Sequence, residues 1–281
     1  MATLIAPDGV VERLAIARLE ERRQAVATAE IANESEELAG GTLCYVGPGS
    51  WANQAAGLGL DGPVSDAELD RFVAFYESRG TEPRIEVASV ADESLHAGLA
   101  ARGFVIREWE HVLVRPLDES VTALLDPAAT TEGLTIERVD ASDDAAAEEW
   151  VRLSLSGFHP PDEPAPAGSV EATRSTVHHP RTRAFVARVD GTGAGAAGLE
   201  VGADVAALFA TSVLPAFRRR GIQRALIAAR LKEARAAGAR LACIHSSPTA
   251  GTDRNAMRTG FFLAYPKAAL VRPGPGLAAS P

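Results

Sequence analysis

The residues most able to do chemistry lie between Val205 and Leu226, in the stretch VAALFATSVLPAFRRRGIQRAL. An apolar strand ends at Val213, a turn with three arginines follows, and a helix is predicted to start at Gly221. The first turn of a helix has free backbone N–H groups and the positive end of the helix dipole, and glycine lets a phosphate approach closely. Flanking arginines add charge and paired donors. The pattern predicts a pyrophosphate cradle, and a solvated turn in an arginine-rich protein is the alternative.

Two other phosphate-binding loops do not match, since the glycine patterns of the P-loop and of the Rossmann fold are both missing. The stretch resembles the acetyl-CoA-binding signature of the GCN5-related N-acetyltransferases (GNAT), written Q/R-x-x-G-x-G/A. Arg218 takes its first position, Gly221 takes the glycine, and Gln223 stands where the family has a small residue. The order of elements predicted over residues 134–272 is also similar to that family. The resemblance therefore covers the second half of the chain.

The resemblance implies an N-acetyltransferase that transfers an acetyl group directly from acetyl-CoA to a primary amine in a ternary complex. The family holds the pantetheine arm along its fourth strand, here Val205–Val213, and a main-chain N–H stabilises the oxyanion. A non-catalytic CoA-binding or interaction protein and an acyltransferase with a longer acyl-CoA donor stay open as alternatives. The residues expected to bind the cofactor are Ser212, Val213, Arg218, Arg219, Arg220, Gly221, Ile222, Gln223, Arg224, Asn255 and Arg258.

Few side chains are candidates for proton transfer. In many relatives a tyrosine lies four residues before the Gly-Phe pair that follows the last helix, but this position is Ala256 here. Tyr265 is the nearest substitute for that acid, and a coenzyme A thiol is acidic enough for solvent to serve instead. Glu200 lies close to where relatives sometimes place a base, and His245 and Ser246 lie at the end of the fifth strand. For each of these side chains a structural role is the alternative.

A proline-rich loop is expected to help build the acceptor site. It spans residues 157–169 and separates two predicted helices. Its acidic residues could attract a cationic amine, and a mobile surface loop is the alternative. The residues expected to bind the acceptor are Phe158, His159, Asp162 and Glu163. No metal is expected, because the adjacent His178 and His179 point to different sides and lack a supporting ligand pattern.

The two halves of the chain end in the same pattern. Strand, turn, short helix, Gly-Phe, long apolar strand and Arg-Pro follow each other up to Pro116 and again up to Pro273, at the same interval from Gly103 and from Gly260. This repetition predicts two tandem copies of one fold. The fold class is α/β (α+β), with tandem GNAT-like domains that each have a mixed, mostly antiparallel sheet flanked by helices. The expected domains are a degenerate N-terminal copy at 1–117, a linker at 118–132, the acetyl-CoA-binding domain at 133–273 and a disordered tail at 274–281.

The first copy is not expected to bind CoA. Where its cradle should lie, residues 57–65 read GLGLDGPVS, without arginine and with Asp61, which would repel pyrophosphate. The local signals predict a single helix over residues 9–38. Ser65 and Ser142 are predicted to cap helices, and Glu68 completes a capping box with Ser65.

Composition limits the class of protein. The 281 residues carry a formal net charge of −9, with 46% hydrophobic and 23% charged residues, and no long apolar run occurs. We therefore expect no membrane span and no nucleic-acid partner, because nucleic-acid binding needs a basic face. Cys44 and Cys243 are the only cysteines and no basic leader precedes an apolar segment. These features predict a cytoplasmic protein without disulfides, acting as a monomer or homodimer.

Overall fold

A computed structural model describes residues 13–124, 131–159, 162–248 and 250–279 of the chain. Helices and strands mix throughout these ranges, which confirms the predicted α/β class. The helices are α1 (Arg13–Ile31), α2 (Asp66–Glu77), α3 (Glu93–Ala101), α4 (Asp144–Leu155), α5 (Ala167–His178), α6 (Ile222–Ala236) and α7 (Gly251–Arg258). The strands are β1 (Glu34–Leu38), β2 (Gly41–Tyr45), β3 (Gln54–Ala56), β4 (Arg84–Ala88), β5 (Val105–Pro116), β6 (Leu134–Arg138), β7 (Thr182–Val189), β8 (Thr192–Val201), β9 (Val205–Val213), β10 (Leu241–Ser246) and β11 (Phe262–Val271). Within the described residues, no helix has the length and apolar character needed to cross a bilayer.

The chain divides into two compact units, and neither is continuous in sequence. The first unit comprises Met1–Val112, Pro166–Ala172 and Leu263–Pro281, and the second comprises Leu113–Ala165 and Thr173–Phe262. The sequence predicts continuous domains at 1–117 and 133–273 instead. The difference arises because β11 comes from the end of the second half yet belongs almost entirely to the first unit, while the last residues of β5 belong to the second.

The first unit has the strand order β1-β2-β3-β4-β11. β3 and β4 are parallel, whereas β4 and β11 are antiparallel, with Arg84 opposite Val271. α2 begins as predicted, because Ser65 Oγ accepts from the Glu68 backbone N–H and the Glu68 carboxylate accepts from the Ser65 N–H. Its apolar face, which includes Phe72, packs into the core of this unit.

The second unit has the strand order β10-β9-β8-β7-β6. β9 and β10 are parallel, and the other neighbours are antiparallel. β8 is rich in alanine and glycine and is buried over most of its length, so helices can pack closely on it. α4 and α6 both pack on β8 and β9, with Trp150 and Leu226 fully buried. This half of the fold positions the predicted cradle.

The single helix predicted over residues 9–38 is wrong beyond Ile31. The segment after it forms β1, which pairs with β2. Helical spacing alone could not reveal this strand, because its charged side chains pair with distant partners: Glu34 with Arg79, and Glu36 with Arg71. Residues 9–12 lie outside the described part of the chain.

Three smaller expectations also differ from the structure. The cap of α4 is Asp143, whose carboxylate accepts from two backbone N–H groups, whereas Ser142 bonds to Asp140. In the expected linker at 118–132, residues 119–121 form a short 3-10 turn, and 125–130 lie outside the described residues. In the expected disordered tail at 274–281, Ala278 forms a parallel bridge with Thr81 through backbone bonds that composition cannot foresee. Residues 280–281 lie outside the described residues.

Candidate functional site

The predicted cradle lies where β9 leads through a short turn into α6. A 3-10 turn, Pro215–Phe217, follows the strand, and Gly221 is the N-cap residue of α6. Gly221 has a φ of 78°, a left-handed conformation that glycine adopts without steric cost. No side chain caps the helix, and the nearest atom to a Cβ built on Gly221 would be Thr131 Oγ1 at 3.8 Å. The N–H groups of the first turn are therefore open to a ligand.

Arg218, Arg219 and Arg220 are all exposed at this helix N-terminus. Arg218 donates from Nε to the Val213 carbonyl at 3.2 Å, and the Arg220 guanidinium lies 5.8 Å from the centre of the Phe217 ring. No carboxylate of the described residues pairs with any of the three arginines. Unpaired cations and free N–H groups thus meet at one point, an arrangement suited to a phosphate anion.

Gln223, which replaces the small residue of the signature, is engaged with α7. Its amide nitrogen donates to Thr252 Oγ1 at 2.7 Å, and its amide oxygen accepts from Asn255 Nδ2 at 2.6 Å. The larger side chain therefore turns towards α7 and ties the starts of the two helices together. The Asn255 amide nitrogen is therefore hydrogen-bonded within the protein, whereas Arg258 at the end of α7 is exposed.

The carboxyl end of β9 has an open edge. Its pairing with β10 ends at Ala207 opposite Cys243, although β9 itself continues to Val213. From Phe209 onward most of the strand is only half-buried, unlike the buried residues that precede it. Beyond Ala207 the pairing with β10 has ended, so backbone groups on this side of β9 are candidates for binding a ligand, although the carbonyls of Phe209 and Val213 already accept from Arg230 and Arg218.

A β-bulge interrupts the pairing of β9 with β8 at the same place. Ala196 lies opposite Ser212 and Gly198 lies opposite Phe209, so Ala197 faces two residues of β9. One of them, Ala210, has a φ of 48°, which is unusual for a residue with a side chain. The bulge redirects the last residues of β9.

Two buried side chains donate to the carbonyl groups around the bulge. Arg230 of α6 donates to the carbonyls of Gly198 and Phe209, and Trp150 of α4 donates from Nε1 to the Ala197 carbonyl at 3.0 Å. Neither residue was among those predicted from the sequence. The available signal was an arginine four residues after Leu226 on the apolar face of α6.

Ser212, a predicted cofactor-binding residue, is tightly enclosed. It is 2% exposed, and its hydroxyl lies 3.4 Å from that of Ser156. A Cβ at Gly157 would come within 2.7 Å of Ser212 Oγ, and one at Gly195 would come within 2.4 Å of the Ser212 carbonyl oxygen. Two glycines therefore allow the close approach that fixes the end of β9.

Three predicted catalytic residues lie in the second unit. Glu200 is 6% exposed near the end of β8 and accepts from two nitrogens of Arg181 at 3.1 and 3.2 Å. His245 and Ser246 end β10, with His245 half-buried and Ser246 buried. The contact with Arg181 holds the Glu200 carboxylate in one orientation near the end of β8.

Tyr265 lies in the first unit and takes part in a buried charged network. Its hydroxyl donates to Glu21 Oε1 at 2.7 Å, and Tyr265 is 3% exposed. The ammonium of Lys267 in the same strand is fully buried beside Glu21 and Glu86. The phenol is thus held in place by a structural network of its own unit.

The residues expected at the acceptor site are largely exposed. Phe158 is 65% exposed, Asp162 and Glu163 are exposed, and His159 is half-buried. Residues 160–161 of this loop lie outside the described part of the chain. Gly157, which contacts Ser212, connects the start of the loop to the end of β9.

Comparison with known proteins agrees with this geometry. Residues 146–260 match the model of the acetyltransferase (GNAT) family. The matched segment includes β9, the arginine-rich turn, α6 and α7. The second half of the chain therefore contains a GNAT acetyltransferase domain, which is of the acyltransferase class.

Solved structures share the fold over almost the whole chain. A GCN5-related N-acetyltransferase from Kribbella flavida is 20% identical, with a TM-score of 0.66 over 95% of this chain and 96% of that chain. A functionally unknown conserved protein from Staphylococcus epidermidis is 12% identical, with a TM-score of 0.58 and coverage of 86% and 94%. An acetyltransferase of the GNAT family from Novosphingobium aromaticivorans is 16% identical, with a TM-score of 0.56 and coverage of 90% and 97%. No curated protein matches the sequence significantly.

Proposed function

We propose that this protein is an N-acetyltransferase that transfers an acetyl group directly from acetyl-CoA to a primary amine in a ternary complex. The observation that carries the proposal is the uncapped N-terminus of α6, where Gly221 and three unpaired arginines meet. An anion with two adjacent phosphates suits this site, because backbone donors and guanidinium groups converge there.

The cofactor is proposed to run from this cradle along the open edge of β9. The N–H groups of Ile222, Gln223 and Arg224 bind the pyrophosphate, and the arginines at 218–220 with Arg258 neutralise its charge. Main-chain groups near Ser212 and Val213 bind the pantetheine arm and polarise the thioester carbonyl. The closed packing around Ser212 supports this role, because a rigid donor stabilises an oxyanion without reorganising first.

Proton transfer is proposed to involve few side chains. The amine loses a proton before attack, either directly or through water. The proposed proton acceptors are Glu200 or the side chains of His245 and Ser246 at the end of β10. The departing thiolate of coenzyme A takes a proton from solvent. The engagement of Tyr265 with Glu21 argues for solvent over this phenol.

The acceptor is proposed to be a small molecule or peptide that carries a cationic amine. Asp162 and Glu163 are exposed on the loop that starts at Gly157, and Phe158 offers an apolar surface. Carboxylates near a site raise the local concentration of cations, so the loop favours positively charged acceptors.

We further propose that the first half is a tandem copy without a CoA site. Its counterpart of the cradle helix is α2, whose N-terminus is already occupied by the carboxylate of Glu68 through the capping box with Ser65. Asp61 lies in the preceding turn and pairs with Arg22. Two carboxylates thus stand where a pyrophosphate would need donors. The cytoplasmic location expected from the cysteines stays a prediction.

Calorimetric titration with CoA tests the proposal on the intact chain. Gly221→Glu is expected to weaken binding at least tenfold, because it adds a negative charge and a strained left-handed residue at the anion site. Gly238→Glu is the matched control: Gly238 ends the same helix at φ 89° with open space around it, so it introduces similar strain away from the cradle. Absence of CoA binding by the unmodified protein, or equal loss in both variants, would contradict the proposal.

Thiol release from acetyl-CoA with a panel of amines tests the transfer step. Sustained turnover with a cationic amine is the expected result. CoA binding without turnover on any amine would instead favour the non-catalytic CoA-binding protein. Faster turnover with butyryl-CoA than with acetyl-CoA would favour a longer acyl donor.

A further inference from the structure

Arg230 is a fully buried arginine whose partners among the described residues include no carboxylate. Its Nη1 donates to the carbonyls of Gly198 at 2.9 Å and Phe209 at 3.2 Å, and its Nη2 donates to Thr211 Oγ1 at 2.9 Å. Its Nε donates to the Leu226 carbonyl at 3.0 Å. Burial lowers the pKa of the Arg230 guanidinium, so these four acceptors must offset the cost of removing a charge from water.

The acceptors of Arg230 are not scattered, because three of them lie around the bulge between β8 and β9. A bulge leaves backbone groups without their ladder partners, and a buried carbonyl without a donor is costly. The planar guanidinium donates from three separate nitrogens in a fixed fork, whereas an ammonium donates from a single nitrogen and an apolar side chain does not donate at all. Trp150 donates to the Ala197 carbonyl in the same region. The bulge is therefore a feature that buried donors hold in one conformation.

The part of β9 that Arg230 holds is also the part with an open edge. The Phe209 carbonyl and the Thr211 hydroxyl flank Ala210, whose positive φ sets the direction of the residues that follow. Ser212 and Val213 lie directly after it. If Arg230 did not hold the Phe209 carbonyl and the Thr211 hydroxyl, the strained conformation of Ala210 could relax. The N–H and C=O groups of the residues that follow would then lose their orientation.

We infer that Arg230 is a positioning residue for the pantetheine arm: it locks the bulge of β9 so that the open edge near Ser212 and Val213 keeps the geometry that binds the thioester end of the cofactor. This inference rests on the proposed function, since it assumes that CoA runs along β9. It adds a residue that touches neither the pyrophosphate cradle nor the outer surface. In this arrangement the arginine-rich turn binds the nucleotide end of the cofactor, and Arg230 supports the part of β9 that binds the pantetheine end.

The test separates the two ends of the cofactor. Calorimetry compares CoA with adenosine 3′-phosphate 5′-diphosphate, which has the nucleotide and pyrophosphate but no pantetheine. Arg230→Met is expected to weaken CoA binding about tenfold, because several hydrogen bonds between the main chain of β9 and the pantetheine arm would be lost. The affinity for the nucleotide fragment should stay within about twofold, because that fragment does not reach β9. Arg230→Lys keeps the positive charge but loses the forked donor geometry. Its CoA affinity is expected to lie between those of the wild type and Arg230→Met.

Leu231→Ala is the matched control, because Leu231 is the next residue of α6 and is also fully buried. It should lower the melting temperature and leave the affinities for both ligands in their original ratio. Unchanged CoA affinity in Arg230→Met, or equal loss of CoA and the fragment, would overturn the inference. If Arg230→Met does not fold, Arg230→Lys decides by the same ratio. A wild-type protein that binds neither ligand would instead refute the proposed function itself.

Discussion

At the scale of single residues, two fully buried cations, Arg230 and Lys267, are stabilised in opposite ways. Arg230 is surrounded by neutral acceptors, whereas Lys267 has three carboxylates near its ammonium. Burial alone lowers the pKa of Lys267, but Glu21, Glu86 and Glu110 outweigh that effect and raise it above its ordinary value. Lys267 is therefore a fixed positive charge that the buried carboxylates of the first unit require.

Lys267→Met is expected to be among the most destabilising single substitutions in the chain. It leaves the buried Glu21 and Glu86 without their ammonium, and removal of one member of a buried charged group costs about 3–5 kcal/mol. Urea denaturation measures this as a lower midpoint. Lys232→Met is the control, because Lys232 is the only other lysine and is half-buried on α6, where a cost of about 1 kcal/mol or less is expected. Equal losses in both variants would show that the network does not hold the unit together.

At the scale of elements, one arginine ties a helix to two strands of the second unit. Arg188 of β7 donates to both carboxylate oxygens of Glu149 in α4, at 2.6 and 3.1 Å, and to Glu137 in β6 at 2.9 Å. The hydrogen bonds from Arg188 lower the pKa of Glu149 below its ordinary value. Of the two contacts that Arg188 makes, the one with Glu149 is less exposed. The Glu149 side chain is 26% exposed, whereas the Glu137 side chain is 51% exposed.

The lowered pKa of Glu149 gives stability a defined dependence on pH. Its contribution is fully present above the ordinary value near 4.5 and is lost as pH falls through the lower folded-state value. Glu149→Gln is therefore expected to reduce the free energy of unfolding by about 1 kcal/mol or less at pH 7, with the difference shrinking towards pH 3. Denaturation curves at the two pH values measure it. Glu137→Gln, at the more exposed contact of the same arginine, should change less, and a difference that grows at low pH would refute the assignment.

At the scale of the whole molecule, the two compact units do not follow the two halves of the chain. The first unit takes β11 and its Lys267 from the second half, and the second unit takes the last residues of β5 from the first half. Tandem copies that each kept their own strands would fold separately. In this chain, neither half contains all the strands of its unit.

Expression of residues 1–124 and 131–281 as two chains tests this arrangement. Each chain alone is expected to fold poorly, because the first lacks β11 and the second lacks the end of β5 beside β10. Co-expressed, the chains should copurify, and cooperative unfolding by circular dichroism should return. The control is the intact protein with a protease site within 125–130, which should stay associated after cleavage. A chain of residues 131–281 that folds and binds CoA alone would contradict the expectation.

Much of the site could be predicted from sequence because its signals are local. The capping box of Ser65 and Glu68, the left-handed Gly221 and the arginines before it involve residues within a few positions of each other. Backbone stereochemistry and helix capping act over that range, so residue types alone predict them. The same locality explains why the strand end at Val213 and the helix start at Gly221 were predicted correctly.

Contacts between distant residues were decided only by the tertiary structure. Tyr265 was a candidate acid in the sequence, but its hydroxyl bonds to Glu21, 244 positions away, and its strand pairs with β4 of the first half. Likewise, nothing local marks Arg230 as the donor for a bulge whose carbonyls lie on two other strands. Local patterns determined the start of α6 with its glycine and arginines, whereas strand pairing and the partners of buried charges depend on which segments the folded chain brings together.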